Sequence, residues 1–158
     1  MSRQPTILVL NGPNLNMLGA RELEVYGHDT LDDIAKACAG RAKELGLTVD
    51  FRQSNHEGEL ITWLQQARGR AAAIVINPAG LSHTSVALMD ALLVTELPVI
   101  EVHLSNIFRR EAYRHHSYVS EVAKGVICGL GAQGYLLALE AVAKLLKARK
   151  ANSKKAHK

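Results

Sequence analysis

The chain has 158 residues, of which 47% are hydrophobic and 22% charged, with a formal net charge of +4. These values are typical of one globular domain with a full core. The longest uninterrupted apolar run, residues 71–76, is too short to cross a bilayer, and the two cysteines are too few for a disulfide framework.

The positive charge is concentrated at the carboxyl end. Residues 147–158 carry six lysines and arginines and no acid, so the preceding residues have a net charge of −2. A basic tail is most often only solvated, and no nucleic-acid or membrane partner is expected. The short apolar run near the amino terminus does not make a signal-peptide core, which favours a cytoplasmic protein.

Strand-like runs alternate with amphipathic helical patterns. The runs are residues 6–10, 48–51, 72–76, 99–104 and 125–130. This alternation predicts one α/β domain over residues 1–146, with a doubly wound parallel sheet of strand order 2-1-3-4-5 and a flexible tail over residues 147–158. Ligands of such sheets bind beyond the carboxyl ends of the strands, so the loops after strands 1, 3 and 4 should carry the chemistry.

Two of these loops contain polar residues whose role the sequence leaves open. After strand 1, three asparagines in residues 11–16 favour a tight turn, and the segment Gly19–Gly27 has a glycine at each end, as suits a mobile lid. After strand 3, one of Ser82, Thr84 and Ser85 should cap the next helix. An isolated histidine, arginine or tyrosine in such loops is more often structural or a surface residue than catalytic.

Strand 4 is the most informative segment. Glu101 and His103 are two residues apart, so their side chains share one face of the strand. A buried carboxylate needs a partner, and a carboxylate beside an imidazole fixes the ring tautomer and raises its basicity. A purely structural ion pair is the alternative, but the position at the carboxyl end of a central strand favours catalysis.

Residues 105 and 106 should open a helical turn over residues 107–114. Free N–H groups at the start of a helix bind anions. Arg110 and Arg114 are four residues apart and would share one face of that turn. A substrate carboxylate is the natural inference, and a solvated basic face is the alternative.

Taken together, these motifs resemble type II dehydroquinases across residues 6 to about 146. The matching segments are residues 11–22 with 26–27, 51–58, 77–78 with 83–85, 98–106, and 110–111 with Arg114. The resemblance implies a flavodoxin-like fold and a homododecamer of four trimers. It also implies anti elimination of water from 3-dehydroquinate to 3-dehydroshikimate through an enolate, in the shikimate pathway of aromatic amino acid biosynthesis, with no cofactor and no metal.

The resemblance also implies catalytic roles. Tyr26 would take the proton next to the ketone, and His103 would protonate the departing hydroxyl. Glu101 would orient His103, Arg21 would stabilise the charged species, and Asn14 would help to hold the enolate. A tyrosine is a poor base at neutral pH unless a neighbouring positive charge stabilises its anion, which Arg21 would supply.

The implied binding residues hold the substrate or close the site. They are Asn77 for the enolate or its water, Leu104 and Ser105 for the carboxylate through backbone groups, His83 and Arg114 for the ring hydroxyls, Arg110 for closing on the lid, and Asp90 from a neighbouring subunit. Two positions depart from the family pattern, since Leu23 often is proline and Leu81 often is tyrosine. The first change would loosen the lid, and the second would alter the pocket wall.

Other chemistries fit the sequence less well. A Schiff base needs a lysine in the site, whereas no lysine follows strand 1, 3 or 4 directly. The histidines lack zinc-type spacing. A flavin or phosphate module would have a Ser/Thr/Gly-rich loop after strand 1, and a phospho-acceptor domain would have an aspartate in place of Asn77.

Overall fold

The computed structural model describes residues 3–20 and 22–155. Its centre is a parallel sheet with strand order β2-β1-β3-β4-β5, which confirms the predicted fold class. The strands are β1 (Thr6–Asn11), β2 (Thr48–Gln53), β3 (Ala73–Asn77), β4 (Val99–His103) and β5 (Gly125–Cys128).

Five α-helices accompany the sheet in the described part of the chain. They are α1 (Leu23–Tyr26), α2 (Leu31–Glu44), α3 (Glu57–Ala67), α4 (Val86–Thr95) and α5 (Gln133–Lys155). Helices α2 and α5 cover one face of the sheet, and α3 and α4 cover the other. None of these helices combines the length and the apolar character that crossing a membrane would require.

The central strands are apolar on both faces because both faces are covered by helices. Every residue of β3 and β4 is buried. Val75 and Val102 pack towards α2 and α5, whereas Ile74 and Ile76 pack towards α3 and α4. Each such side chain contributes about 1.5–3 kcal/mol through burial, so the middle of the sheet is a rigid platform for the loops that follow it.

Side-chain hydroxyls cap the starts of α2 and α4. Thr30 caps α2 through a capping box, in which its hydroxyl accepts from the Asp33 N–H at 3.2 Å and the Asp33 carboxylate accepts from the Thr30 N–H at 3.0 Å. Of the three candidates before α4, Ser85 is the cap, because its hydroxyl accepts from the Leu88 N–H at 2.9 Å.

Two predicted segments differ from the structure. Residues 107–114 are not one helical turn, because Arg110 is extended (φ −108°, ψ −165°) and separates the 3-10 turns Ile107–Arg109 and Ala112–Arg114. The tail expected to be flexible from residue 147 is helical as far as Lys155, because α5 continues into it.

Candidate active site

A cavity of about 200 Å³ lies beyond the carboxyl ends of β1, β3 and β4, where the strand order predicts a ligand site. It is lined by the loops that follow these strands and by the end of α1. The lining residues are Pro13, Asn14, Leu15, Leu18, Tyr26, Ala79, Gly80, His83, His103, Leu104, Ser105, Ile107, Arg110 and Arg114.

The loops after β1 and β3 pack directly against each other. The Gly12 N–H donates to the Asn77 carbonyl at 2.8 Å, and a Cβ at Gly12 would lie 2.4 Å from the Pro78 carbonyl oxygen. Only glycine fits that approach. Asn14, in a left-handed conformation (φ 69°), is fixed by its N–H, which donates to the Asn55 side chain at 2.9 Å.

A buried hydrogen-bond network ties these loops to α5. The Tyr135 hydroxyl donates to Asn11 Oδ1 at 2.6 Å and accepts from Asn77 Nδ2 at 2.9 Å. The Asn77 oxygen in turn accepts from the Ala79 N–H at 3.2 Å. Asn77 is therefore not brought to the cavity wall with the other site residues, and its expected role on the enolate stays a prediction. Sequence analysis missed Tyr135, because it falls within an apolar helical stripe.

Glu101 and His103 share a face of β4, and His103 Nε2 lies 2.7 Å from Glu101 Oε1. Glu101 also accepts from Ser117 Oγ at 2.5 Å and from Ser120 Oγ. Burial alone would raise the pKa of Glu101, but the hydrogen bonds from His103 and the two serines outweigh it and hold the pKa below its usual 4.5. Glu101 is thus a carboxylate at neutral pH. The serines were missed because two small polar residues in a loop carry no pattern.

His83 lies beside His103, with the ring centroids 6.4 Å apart and the planes inclined by 17°. Its Nδ1 is 2.7 Å from the His116 carbonyl oxygen. Burial lowers the pKa of His83 below 6.5, and positive charge at His103 and Arg114 acts in the same direction, against the hydrogen bond to His116. His83 is therefore neutral at pH 7.

Arg110 connects the loop after β4 to the end of α1. Its Nη1 donates to the Tyr26 hydroxyl at 2.9 Å and to Ser105 Oγ at 3.4 Å, and the guanidinium lies 5.4 Å from the centroid of the Tyr26 ring. A guanidinium in this position stabilises a phenolate. Arg21, to which the sequence analysis gave that task, lies outside the described residues.

The remaining predicted residues divide between the cavity and the surface. Arg114 lines the cavity and donates through Nε to Glu111 at 2.9 Å. Leu104 and Ser105 line it as well. Asp90 is exposed on α4 and is not among the described residues that line the cavity of its own subunit.

Within the described residues, no three or more histidine, cysteine, aspartate or glutamate side chains are grouped so that they could hold a metal ion. The described cavity wall contains no lysine. The described wall offers one phenol, two imidazoles, two guanidinium groups, the Asn14 side-chain amide, the Ser105 hydroxyl and backbone amides. These groups suit the binding of a small anion and the transfer of protons.

Comparison with known proteins agrees with this chemistry. The model of the family described as "Dehydroquinase class II" matches residues 5–143. The chain is 62% identical over 148 residues to "3-dehydroquinate dehydratase 2" of Pseudomonas putida, covering 94% of this chain and 99% of that protein. It is 66% identical over 135 residues to the protein of the same name from Pseudomonas aeruginosa, covering 85% and 91%.

Solved structures of type II dehydroquinases are also similar to this chain. The crystal structure of type II dehydroquinase from Propionibacterium acnes superposes with a TM-score of 0.85 at 49% identity, covering 88% of this chain and 96% of that chain. The corresponding protein from Butyrivibrio crossotus gives a TM-score of 0.86 at 40% identity, covering 88% and 97%. The chain belongs to the class II dehydroquinase family.

Proposed function

We propose that this chain removes water from 3-dehydroquinate to give 3-dehydroshikimate in the cavity beyond β1, β3 and β4. A hydro-lyase that acts without a Schiff base is what membership of the family means. The observation that carries the proposal is that one small cavity holds a phenol contacted by a guanidinium and an imidazole contacted by a buried carboxylate.

Tyr26 is the base of the proposed reaction. As a phenolate it takes a proton from the carbon next to the ketone, and the electrons of the C–H bond form the enolate. The support is the contact with Arg110, whose positive charge lies 2.9 Å from the phenol oxygen. Asn14 lines the same cavity, and an amide there donates to developing negative charge without titrating.

His103 is the acid. The enolate collapses to the conjugated ketone as the carbon–oxygen bond to the departing hydroxyl breaks, and His103 gives that hydroxyl a proton so that it leaves as water. Support comes from Glu101, which is buried, ionised and 2.7 Å from the ring. An ionised partner stabilises the protonated imidazole that this step consumes.

The polar residues around these two groups bind the substrate. Leu104 and Ser105 come directly after β4 and line the cavity. Their backbone N–H groups bind the substrate carboxylate in the proposed complex. Arg114 and His83 line the wall and bind the ring hydroxyls. For Asn77, which is not among the described lining residues, a role on the enolate or its bound water stays a prediction from the family resemblance. Arg110 holds the segment that carries Tyr26, and Arg21 is expected from the family resemblance to stabilise the charged species.

The oligomer belongs to the same proposal. We expect a homododecamer of four trimers in the cytoplasm, in which Asp90 completes the cavity of a neighbouring subunit. Asp90 shares one face of α4 with Val86, Leu93 and Val94, which are 47%, 56% and 50% exposed. An apolar face of this kind is typical of subunit contacts. Light scattering of the purified protein measures the assembly, and a monomer at working concentration would contradict it.

The direct test is an assay with purified protein and 3-dehydroquinate in a chelating buffer, followed by the ultraviolet absorbance of the conjugated product. We expect rapid turnover. Borohydride added together with substrate should leave the activity intact, because no imine forms. A folded protein without turnover would overturn the proposed function, and inactivation by borohydride would overturn the mechanism.

A further inference from the structure

One short loop contacts His83 directly and reaches His103 through Glu101. We define the clamp segment as residues 116–120, which follow the turn Ala112–Arg114 and include the first two residues of the turn Val119–Glu121. Its first carbonyl, that of His116, meets His83 Nδ1 at 2.7 Å. Two of its side chains, Ser117 and Ser120, donate to the carboxylate of Glu101, which holds His103.

The clamp segment is itself fixed to the fold. The Tyr118 N–H donates to the carbonyl of Ser82, the residue before His83, at 2.9 Å. Val119 is fully buried in the core beneath α3 and α4. The Ser120 N–H donates to Ser117 Oγ at 3.2 Å, which holds the first serine in place. The segment thus spans from the wall of the cavity to the core.

These contacts determine which ring nitrogen carries a proton. A carbonyl oxygen only accepts, so His83 Nδ1 must donate, and in a neutral ring Nε2 is then an acceptor. Glu101 is ionised and also only accepts, so His103 Nε2 donates to it. The proton that His103 can exchange with a ligand is consequently the one at Nδ1.

We propose that the clamp segment sets the tautomers of both imidazoles, and that Ser117 and Ser120 are positioning residues for the dehydration. His83 presents an acceptor nitrogen to a substrate hydroxyl, and His103 delivers its proton from Nδ1. The mechanistic part of this inference rests on the proposed function. The tautomers themselves do not, since they follow from contacts of the protein alone.

The serines matter because Glu101 is wholly buried. Without their hydroxyls the carboxylate keeps only His103, and protonation of Glu101 becomes easier. A protonated Glu101 no longer stabilises the imidazolium of His103. Among the described residues that line the cavity, the other charged or titratable groups near the two rings are Arg110, Arg114 and Tyr26. Neither arginine can supply a negative charge in place of Glu101.

The kinetic test compares Ser117→Ala, Ser120→Ala and the double variant with the native enzyme over a range of pH. We expect the double variant to lose about tenfold or more in kcat, as fits the loss of hydrogen bonds to a charged group, while KM changes little. The acidic limb of its kcat profile should move to higher pH, because Glu101 is protonated more readily without the two hydroxyls. Ser117→Thr keeps the hydroxyl and should restore the native profile.

Ser82→Ala is the matched control. Ser82 is buried next to His83, and no hydrogen-bond partner for its hydroxyl is found among the described residues. Its removal keeps the backbone contact with Tyr118 and should leave the pH profile unchanged. If Ser82→Ala shifted the profile as far as the double variant does, the serines would be general packing residues and the proposal would fail.

Nitrogen-15 spectra of the imidazoles, recorded without substrate, test the tautomers independently of turnover. We expect neutral His83 to carry its hydrogen on Nδ1, and neutral His103 to carry it on Nε2 in the native protein but not uniquely in the double variant. An inactive native protein with these spectra would contradict the proposed function but not the tautomer assignment. An active native protein whose double variant keeps both the spectrum and the pH profile would contradict the proposed role of the clamp segment.

Discussion

The two sides of the cavity are built in opposite ways. His103 and Glu101 lie on the central strand β4, are both buried, and are held by hydrogen bonds from a loop anchored in the core. Tyr26 is the last residue of the four-residue helix α1, which has no buried residue and lies between Glu22 (φ 39°) and Gly27 (φ 80°). The acid is part of the sheet, whereas the base is carried by a surface segment.

The acid and the base therefore play different roles during a catalytic cycle. A group on a buried strand is preorganised, so its geometry does not depend on the ligand. A group on an exposed segment with few buried contacts belongs to the part of a protein that opens at low cost. Bringing the base in on such a segment lets substrate enter and then completes the site, which is the usual function of a lid.

The largest effect should come from removing the base. Tyr26→Phe keeps the ring and deletes the hydroxyl, so we expect kcat to fall by about 10²–10⁴ or more while folding and ligand binding persist. Tyr113→Phe is the control, because Tyr113 also packs against an arginine but is 66% exposed and does not line the cavity. Steady-state kinetics measure both variants, and substantial turnover by Tyr26→Phe would remove Tyr26 from this role.

Glu101→Gln tests whether the acid side is preorganised. The substitution replaces a buried carboxylate by an amide that cannot accept all three hydrogen bonds, so we expect kcat to fall and the free energy of unfolding to drop by about 3 kcal/mol. Urea unfolding measures the stability. The matching substitution Glu111→Gln, at an exposed residue, should leave the stability nearly unchanged. Equal losses of stability in the two variants would contradict the prediction that the buried carboxylate contributes more than the exposed one.

Arg110→Ala should affect catalysis more than stability. It removes the hydrogen bond to Tyr26, and the loss of one charged hydrogen bond corresponds to about a tenfold fall in kcat or more. The neighbouring Arg109→Ala removes an exposed guanidinium outside the cavity and should change little. If both variants behaved alike in kinetic assays, the contact between Arg110 and Tyr26 would not be what holds the base.

The smallest expected effect concerns Gly27, the residue that follows Tyr26. Gly27 (φ 80°) and Gly46 (φ 72°) both have a positive φ and open space where a Cβ would lie. Alanine at either position should therefore cost about 1–2 kcal/mol of backbone strain in thermal unfolding. Only Gly27→Ala, next to Tyr26, should also change kcat. An equal kinetic effect of Gly46→Ala would mean that strain anywhere in the chain slows the enzyme.

The same contrast explains what the sequence could predict. The strand order and the pairing of Glu101 with His103 were predictable, because a buried parallel strand has a long apolar pattern in which an alternating acid and imidazole stand out. Arg110 and Arg114 were placed in the right neighbourhood, and both line the cavity. The single helical turn expected to carry them was wrong, because the extended backbone at Arg110 depends on contacts that no local spacing reveals.

The residues that sequence analysis missed are joined to the site across long stretches of chain. Ser117 and Ser120 reach Glu101 from 16 and 19 residues away, and Tyr135 reaches Asn11 from 124 residues away. Serines in a loop and a tyrosine in an apolar helix have ordinary local explanations. Only the folded chain shows which polar atom meets which partner.

The buried phenol of Tyr135 gives the protein an intrinsic optical reporter. Its hydroxyl is enclosed between Asn11 and Asn77, and burial raises its pKa far above the usual 10.0. In an alkaline spectrophotometric titration, one of the four tyrosines should therefore stay un-ionised until the sheet comes apart. The late step in phenolate absorbance would then report the separation of α5 from β1 and β3 on unfolding, without any added label.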